Sequence, residues 1–410
     1  MRYLTDRAAI SSRRRFTRWR GSLLGGCVVL AVVLPPLLFS PATASAQPVK
    51  AVHDVCGPVP AGYARCFSKI VTGTNPAGPS ALNPADLESA YALPSLTAGV
   101  GQTVGIVDAY DSPSAESDLA VYRAKFGLPP CTTANGCFRK VDESGGSSYP
   151  KPDASWGFEI SIDLDMVSAI CPNCHLLLAE ATTSNIVDLG MAENTAAGLG
   201  VNEISNSWGS NDQSKDATLD RLYFTHPGIA TIVASGDSGY HTFYPASSPN
   251  VTSVGGTSLT RANNPRGWTE TAWSFAGSGC TSYESQPAWQ TANSAIPAVC
   301  ADRAVADVAA VADPNTGISV YDTLSQPGWV IGGGTSAASP IIASVYALAG
   351  NAASTVAGSY PYSHTTTHNK ANLNDVASGS NGNCETALCT AQVGWDGPTG
   401  LGTPNGVGAF

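Results

Sequence analysis

The sequence predicts an α/β fold in which a parallel sheet is covered by helices on both faces. Short apolar runs alternate with helix-like stretches from about residue 81 onward. This alternation is typical of parallel strands, because parallel neighbours need a helical connection that returns across the sheet. Residues 81–410 contain no repeat and no linker long enough to divide them. We therefore expect one domain, with its functional groups where strands end and loops begin.

The first elements follow this alternation. VGIVDAY (104–110) predicts a buried strand, and SAESDLAVYRAKFG (114–127) predicts a helix with an acidic first turn. HLLLAEA (175–181) predicts the next strand. IVDLGMAENTAAGLG (186–200) has apolar residues at helical spacing and ends on glycine, which is a common helix terminator. This half of the chain therefore predicts two strand–helix units.

The later elements repeat the pattern. NEISNSWG (202–209) and IATIVASGD (229–237) predict strands. Between them, TLDRLYFTHPG (218–228) predicts a helix that closes on Pro-Gly. SAASPIIASVYALAG (336–350) is mostly apolar around its circumference, which is typical of a buried helix. Such a helix belongs in the middle of the domain.

The first 46 residues predict a secretory signal. A basic segment precedes the apolar run GSLLGGCVVLAVVLPPLLF (21–39), and an A-x-A pattern ends at Ala46. The alternative, a retained membrane anchor, is disfavoured by the double proline at 35–36. No later run reaches the ~18 apolar residues that a membrane span needs. Residues 47–80, which are rich in Pro and Gly, are expected to form an irregular N-terminal arm or a short pro-segment.

Charge excludes one class of partner. Without residues 1–46 the chain has 14 Lys+Arg and 30 Asp+Glu, a net charge of about −16. Such a surface repels nucleic-acid backbones, and no Lys/Arg cluster offsets it. Charged residues are also sparse, at 13% of the whole chain. Few basic groups means few ion pairs to lose in acid, which is compatible with an acid-working protein.

The cysteines predict disulfides. Ten remain once Cys27 leaves with the signal, and an even count in an exported chain indicates a disulfide framework. The CPNC segment could also be a redox pair, but no thioredoxin-like context surrounds it, and zinc would need a second pair at suitable spacing. The expected pairs are close sequence neighbours: Cys56/Cys66, Cys131/Cys137, Cys171/Cys174, Cys280/Cys300 and Cys384/Cys389.

Two serines compete for the role of nucleophile. Ser238 lies in ASGDSGY (234–240), whose GDSG is similar to the nucleophile segment of chymotrypsin-like proteases. Ser336 lies in GGGTSAASP (332–340), at the start of a predicted helix. There the glycines permit close backbone approach, and the helix N-terminus favours a developing oxyanion, although ordinary helix caps have the same composition. Histidine triads require a histidine base, and none of the six histidines has a suitable context.

A pair of acids offers a different base. Glu159 and Asp163 are four residues apart, so on a helix they share a face, and two such close carboxyls cannot both ionise easily. A carboxylate beside a serine hydroxyl could take its proton while the second carboxyl orients the first. The alternative is a solvated acidic helix face. Asp165 falls off the shared face and is expected to have no catalytic part.

Together these segments resemble the sedolisin family of serine-carboxyl peptidases, which has a subtilisin-like fold. The resemblance covers most of residues 81–410, and its segments occur in the family's order. It implies a subtilisin-like single catalytic domain with a parallel sheet flanked by helices. The segments are VGIVDAYDSPSAESDLAVYRAKFGLPPC, E-x-x-x-D at 159–163, ISNSWGS, ASGDSG, YPASSPNVTSVGGT, RAVADVAAVADPNTG, GGTSAASP and GWDGPTGLGTPNG.

The resemblance implies a role for each acid. Ser336 would be the nucleophile, Glu159 its general base and later acid, and Asp163 the group that orients Glu159. Asp237 would be the oxyanion group, which makes Ser238 only its neighbour. Substrate would lie along Ser207, Trp208 and Gly209.

The resemblance also implies one calcium ion near the C-terminus. Two aspartates and several backbone carbonyls in a glycine-rich loop supply the oxygen ligands that Ca²⁺ prefers. The alternative is a turn-rich terminus stapled by a disulfide. The ligands would be the side chains of Asp375 and Asp396 and the carbonyls of Val376, Gln392 and Gly394, with Gln392 where the family often has glycine.

The expected function is therefore a secreted serine-type peptidase, an endopeptidase, that hydrolyses protein or peptide substrates in acid and acts as a monomer. We expect no nucleic acid partner and, after signal removal, no membrane. The alternative is an exported pseudopeptidase that binds peptides without turnover.

Family members usually have a long propeptide, whereas here only residues 47–80 separate the signal from the domain. Asp108, on the first strand, is expected to be structural and to accept backbone hydrogen bonds.

Overall fold

The predicted alternation of strands and helices is present in a computed structural model. It describes residues 51–73, 81–354, 358–364 and 370–410, all of which belong to one unit, Gln47–Phe410. The predicted signal, residues 1–46, lies outside the described residues. In the described ranges no helix is long and apolar enough to cross a bilayer.

All the predicted helices form, and further short ones accompany them. The helix predicted at 218–228 is displaced, since it begins at Asp216 and ends at Tyr223. In the described residues the α-helices are α1 (Pro84–Tyr91), α2 (Ala115–Lys125), α3 (Ala154–Ile170), α4 (Ile186–Gly198), α5 (Asp216–Tyr223), α6 (Ala288–Thr291), α7 (Thr335–Ala349) and α8 (Ser359–His364).

The four predicted strands also form, among many short ones. The described strands are β1 (Ala51–Asp54), β2 (Arg65–Cys66), β3 (Lys69–Thr72), β4 (Thr103–Ala109), β5 (Phe138–Asp142), β6 (His175–Ala181), β7 (Glu203–Asn206), β8 (Trp208–Asn211), β9 (Ala230–Ala234), β10 (Phe243–Tyr244), β11 (Thr252–Arg261), β12 (Trp268–Ala272), β13 (Gly279–Ser285), β14 (Asp302–Val305), β15 (Val308–Val311), β16 (Ile318–Asp322), β17 (Gly328–Gly333), β18 (Leu373–Asn374) and β19 (Thr403–Pro404).

The central sheet is parallel, as predicted. Its strand order is β12-β11-β9-β7-β4-β6-β5, and β15 pairs with β11 as well. Every neighbouring pair is parallel except β11 and β12, which run antiparallel. The carboxyl ends of the parallel strands therefore lie along one edge, which is where loops can collect functional groups.

Side-chain alternation along the strands explains why both faces of this sheet are covered. In β6, Leu176 and Leu178 pack in the cluster that contains α3 and α7, whereas Leu177 and Ala179 pack in the cluster that contains α4. Successive side chains of a strand point to opposite faces, so an uninterrupted apolar run needs a helix on each side. HLLLAEA is such a run.

The helices α3 and α7 bring two predicted site segments together. Asp153 caps α3 by accepting from the backbone N–H groups of Ser155 and Trp156. Gly334, with φ +97°, turns the chain into α7, a conformation that L side chains rarely adopt. The two helices pack against each other in the apolar cluster on the same side of the sheet. This packing places Glu159 and Asp163 of α3 near the first turn of α7.

The strand predicted at 202–209 is interrupted at Ser207. The segment before it, β7, lies in the central sheet, and the segment after it, β8, pairs with β10 and β2 in a separate three-stranded sheet. Both neighbours of β8 run antiparallel to it. The chain thus leaves the central sheet at Ser207 and presents a second backbone edge.

The prediction that the N-terminal arm is irregular is wrong for residues 51–73. This segment contains β1, β2 and β3, and β3 pairs with both β1 and β17 in a four-stranded antiparallel sheet. Three of the four residues of β3 (KIVT) are buried. The strands of the arm are therefore hydrogen bonded to strands of residues 81–410.

All five predicted disulfides are confirmed. They link Cys56–Cys66, Cys131–Cys137, Cys171–Cys174, Cys280–Cys300 and Cys384–Cys389. The CPNC pair is a disulfide between the end of α3 and the start of β6, and so it serves as a structural link.

Candidate active site

Ser336 lies at the second residue of α7 and is fully buried. Its hydroxyl donates to the backbone carbonyl of Ser207, at 3.1 Å. The hydroxyl thus lies where the chain passes from β7 to β8. The glycine turn before α7 determines this position, because it lets the helix begin next to the neighbouring strands.

Glu159 lies on α3 beside this serine. Its Oε2 accepts from the backbone N–H of Ser68, at 3.1 Å, and its Oε1 has no hydrogen-bond partner among the described residues. Burial raises the pKa of Glu159, and the nearby hydroxyl of Ser336 opposes that rise. The free Oε1 is an acceptor without a donor, next to a serine that could supply one.

Asp163 lies one turn further along α3 and is also fully buried. Its Oδ1 accepts from the hydroxyl of Ser207, at 2.8 Å. Burial raises the pKa of Asp163 well above its usual range, and the charge of Glu159 raises it further. Two buried carboxyls that repel each other titrate as a pair, so one proton stays on the pair while the other leaves.

Asp237 follows β9 and faces the same helix end. Its Oδ1 accepts from the backbone N–H and the hydroxyl of Thr335, both at 2.8 Å. That hydroxyl accepts from the N–H of Gly236 and so has its own proton free to donate. The other oxygen, Oδ2, has no hydrogen-bond partner among the residues that the structure describes, and it lies 2.7 Å from where a Cβ on Gly334 would be. Burial raises the pKa of Asp237 to about 7, against the nearby charge of Lys69.

The second candidate nucleophile, Ser238, lies outside the group of buried carboxyls around Ser336. Ser238 is exposed, and its hydroxyl accepts from the guanidinium of Arg65 at 2.7 Å. Its local GDSG sequence therefore does not place it among the buried carboxyls. No described histidine is hydrogen bonded to Ser336, Glu159 or Asp237, while His368 lies outside the described residues.

One expectation and one alternative about acidic residues are wrong. Asp108 accepts no backbone hydrogen bond in the described part of the chain; it is fully buried, and its pKa is raised by burial and then by Asp163 and Glu159. The acidic face of α3 is not solvated either. Asp165 is buried on the opposite side and accepts from the backbone N–H of Tyr321 at 2.9 Å.

Buried acids extend beyond the site. Burial is the largest cause of a raised pKa in each member of a set of carboxyl groups within the described residues. Basic partners are few, so burial favours the neutral, protonated form of most of these groups over the ionised form. The set comprises Asp108, Glu159, Asp163, Asp165, Glu180, Glu193, Glu203, Asp216, Asp220, Asp237 and Glu284.

The segment predicted to line substrate presents backbone more than side chain. Trp208 is fully buried, and its indole N–H donates to the carbonyl of Val107 at 2.8 Å. The backbone of Trp208 pairs with Cys66, and that of Gly209 pairs with Arg65. A cavity of about 790 Å³ lies between this edge and the arm. The predicted residues thus form a strand edge, which β2 of the arm already occupies.

Sequence reasoning missed the arm as part of the site. Phe67 and Ser68 are buried next to Ser207 and Glu159. The available signal was CFSKIVT (66–72), where apolar residues are dense and β-branched ones follow each other. The surrounding Pro and Gly residues hid it.

The residues predicted to bind calcium lie together in one loop. Both carboxyl oxygens of Asp375 accept from the N–H of Gly394, at 3.2 Å, and Asp396 is close enough for the charge of Asp375 to affect its pKa. The carbonyl oxygens of Val376, Gln392 and Gly394 accept no hydrogen bond from a described residue. Two carboxylates and three free carbonyls fit a hard, oxygen-preferring cation. No group of three or more His, Cys, Asp or Glu residues that could hold a metal is found in the described ranges.

Comparison with known proteins identifies the family. Residues 161–394 match the family model described as the subtilase family. The chain is 30% identical to kumamolisin of Bacillus sp. (strain MN-32) over 366 residues, which cover 81% of this chain and 63% of kumamolisin. It is 29% identical to sedolisin of Pseudomonas sp. (strain 101) over 364 residues, which cover 78% of this chain and 59% of sedolisin. The chain thus spans about three-fifths of the length of these curated relatives.

A solved structure agrees. Pseudomonas sedolisin, a serine-carboxyl proteinase complexed with two molecules of pseudo-iodotyrostatin, superposes with a TM-score of 0.68 at 26% identity. The match covers 79% of this chain and 95% of that one, which confirms the predicted subtilisin-like domain with a parallel sheet flanked by helices. The chain therefore belongs to the subtilase family and, within it, to the sedolisins.

Proposed function

We propose that this protein is a serine-carboxyl peptidase that hydrolyses peptide bonds in acid. One observation carries the proposal: the buried hydroxyl of Ser336 lies among the carboxyls of Glu159, Asp163 and Asp237, with no described histidine bonded to them. The similar Pseudomonas protein is a serine-carboxyl proteinase, which supports the same chemistry here.

In the proposed mechanism each carboxyl has one task. Ser336 attacks the substrate carbonyl while Glu159, through its free Oε1, takes the hydroxyl proton. Asp163 orients Glu159 electrostatically and shares the proton of the pair, and the hydroxyl of Ser207 holds it in place. Glu159 then returns the proton to the leaving nitrogen.

Asp237 donates to the oxyanion. Thr335 supplies two donors to Oδ1, so a proton on this carboxyl belongs on Oδ2, the oxygen without a partner. A protonated Oδ2 donates a hydrogen bond to the oxygen that becomes negative, whereas an ionised Oδ2 repels it. Because the pKa of Asp237 is about 7, the donor form is complete in acid and is lost as the pH rises through about 7. The contribution of this donor to activity should fall over the same range.

Hydrolysis of a denatured protein tests this proposal. The purified chain should cleave denatured haemoglobin at pH 4 and should be about fourfold slower at pH 7.5, where a carboxyl with a pKa of about 7 is roughly one quarter protonated. The rate is read as soluble peptide released per minute. A chain that binds denatured protein but releases no peptide at either pH would be a pseudopeptidase, and an optimum above neutrality would contradict the role of Asp237.

We also propose that the loop of Asp375 and Asp396 binds one Ca²⁺, which would tie the C-terminal segments together. A ligand at 100 times its Kd stabilises the folded state by about 2.7 kcal/mol. Chelation by EGTA should therefore lower Tm by a few degrees, and added Ca²⁺ should restore it.

Matched variants make the calcium test specific. Asp375→Ala should start from the lower Tm and no longer respond to EGTA. Glu385→Gln, which removes an exposed carboxyl from the same loop, should respond as the unaltered chain does. An equal response of all three proteins would place the ion elsewhere or remove it altogether.

The remaining proposals concern location and partners. The N-terminal signal pattern and five disulfides support export, since disulfides persist in oxidising compartments. The substrates proposed are proteins or peptides, and the negative charge argues against nucleic acid. The enzyme is proposed to act as a monomer.

A further inference from the structure

Lys140 lies against two carboxyl groups at the edge of the central sheet. Its Nζ donates to Oδ1 of Asp111 and lies 3.4 Å from Oε1 of Glu180. It also donates to the backbone carbonyl of Ser112 at 3.1 Å, while the N–H of Ser112 donates to Oε1 of Glu180 at 2.9 Å. The ring of Tyr149 covers the ammonium, with its centroid 4.2 Å from Nζ. One amine and two carboxyls are therefore held in a single cluster.

The strands of the central sheet determine this cluster. Phe138 of β5 and Leu178 of β6 pack in the apolar cluster that contains α3. Side chains two residues further along a strand point to the same face, and these are Lys140 and Glu180. Asp111 follows β4, which lies on the other side of β6 from β5. Glu180 therefore lies on the strand between the two that supply the amine and the other carboxyl.

The three side chains are largely withdrawn from water. Those of Lys140 and Asp111 are 15% and 12% exposed, and that of Glu180 is fully buried. Burial raises the pKa of Glu180 to about 8, against the N–H of Ser112 and the charge of Lys140, and the nearby carboxyl of Asp111 raises it as well. Glu180 thus holds a proton at neutral pH beside an ammonium and a carboxylate. Such a group can carry protons between the other two.

We propose that Lys140 and Asp111 condense to an isopeptide bond, with Glu180 as the proton carrier. Nζ passes one proton to the carboxylate of Asp111 and then bonds to its Cγ, while the proton of Glu180 polarises the carbonyl oxygen. The C–O bond breaks as the hydroxyl receives a second proton of Nζ through Glu180, and water leaves. An ammonium and a carboxylate become an amide and one water, and nothing is oxidised or reduced. Glu180 ends as it began.

Proximity and burial favour this condensation. Groups held in contact within one molecule react with effective concentrations of up to about 10⁵–10⁸ M, which offsets the entropy of joining an amine to an acid. A charged pair withdrawn from water also bears a desolvation cost that an uncharged amide avoids. A cavity of about 410 Å³ is lined in part by Asp111, Lys140 and Tyr149, and it has room for the water released.

A second lysine–aspartate contact serves as an internal control. Lys69 donates to Asp54, but the side chain of Asp54 is 55% exposed, so water solvates its carboxylate. Within the described ranges Lys69 forms no ion pair with another carboxylate, so no third group is in place to carry a proton. This pair should remain an ordinary ion pair.

Mass spectrometry of the folded, purified chain tests the bond. After reduction of the disulfides, the chain should be lighter than its sequence by one water, about 18 Da. Trypsin does not cut after an acylated lysine, so digestion should cut after Lys69 but not after Lys140. It should also release one branched peptide that joins Asp111 to Lys140. A chain of full mass that is cut after Lys140 overturns the inference, as does a water lost at any other residue.

Two variants test the roles of the amine and of the proton carrier. Lys140→Arg keeps the positive charge without the amine, so it should have its full mass. Its Tm should be several degrees lower, because a bond between residues 29 positions apart restricts the unfolded chain as a disulfide does. Glu180→Gln keeps an acceptor for the N–H of Ser112 but has no proton to transfer, and should form the bond about a hundredfold more slowly. An equal rate in Glu180→Gln would overturn the role of Glu180.

This inference is independent of the proposed peptidase function. Ser336→Ala should lose the same water, since its serine takes no part in the condensation. A chain that digests denatured haemoglobin at its full mass overturns the isopeptide bond and leaves the peptidase function standing. A chain that is lighter by one water but digests nothing does the reverse.

Discussion

Replacement of Ser336 with alanine is expected to lower kcat for peptide hydrolysis by on the order of 10⁶-fold, the size of the loss when the serine of a histidine triad is removed. The hydroxyl is the only group in the proposed mechanism that bonds to substrate carbon. Neither the neighbouring carboxyls nor the helix N-terminus can replace it. Initial rates on an aromatic peptide at pH 4 measure the effect.

Ser238→Ala is the matched control. Its hydroxyl is exposed and binds only the guanidinium of Arg65, so the variant should keep its rate within about threefold, as for most exposed substitutions. If Ser238→Ala were inert and Ser336→Ala active, the nucleophile would be reassigned.

Replacement of Asp237 with asparagine is expected to change the pH dependence more than the rate in acid. The N–H and hydroxyl of Thr335 require an acceptor at the position of Oδ1, so the amide nitrogen takes the position of Oδ2. There it donates at every pH, whereas the carboxyl of Asp237 donates only below its pKa of about 7. The ratio of kcat/KM for Asp237→Asn to that of the unaltered enzyme should rise about tenfold per pH unit above neutrality.

This ratio removes the titration that Glu159 and Asp163 have in common in both proteins, and it leaves the effect of the Asp237 charge, which raises the pKa of Glu159 and is absent from Asp237→Asn. Asp237→Ala, which has no donor at all, should lose on the order of 10²- to 10³-fold in kcat at pH 4, the usual effect of removing one oxyanion donor. A ratio that stays flat from pH 4 to 9 would show that the carboxyl of Asp237 does not donate in the rate-limiting step.

The central sheet could be predicted because each strand has its own local signal. HLLLAEA is apolar on both faces, and this pattern alone indicates a strand covered on both sides. The sheet that contains the arm could not be predicted in the same way. There β3 pairs with β17, more than 250 residues later, and neither segment predicts its partner.

The sequence predicts which residues form the candidate site, but it does not predict how deeply they are buried. The spacing of Glu159 and Asp163 places both on one face of a helix, but only the packing of α7 over α3 determines that they are buried. Asp108 shows the reverse error, since a strand position suggested backbone donors that the fold does not supply. Spacing predicts which side chains are neighbours, while burial depends on distant segments.

The set of buried acids has a consequence for where this protein can survive. A carboxyl whose pKa is raised by folding holds its proton in the native state and loses it in the unfolded chain, above about pH 4. Folding therefore takes up protons, and these groups stabilise the native state relative to the unfolded state as the pH falls. In most proteins, native contacts hold the carboxylates ionised, and the folded state therefore loses stability over the same pH range. Acid should therefore destabilise a typical substrate protein while it stabilises the folded state of this protein.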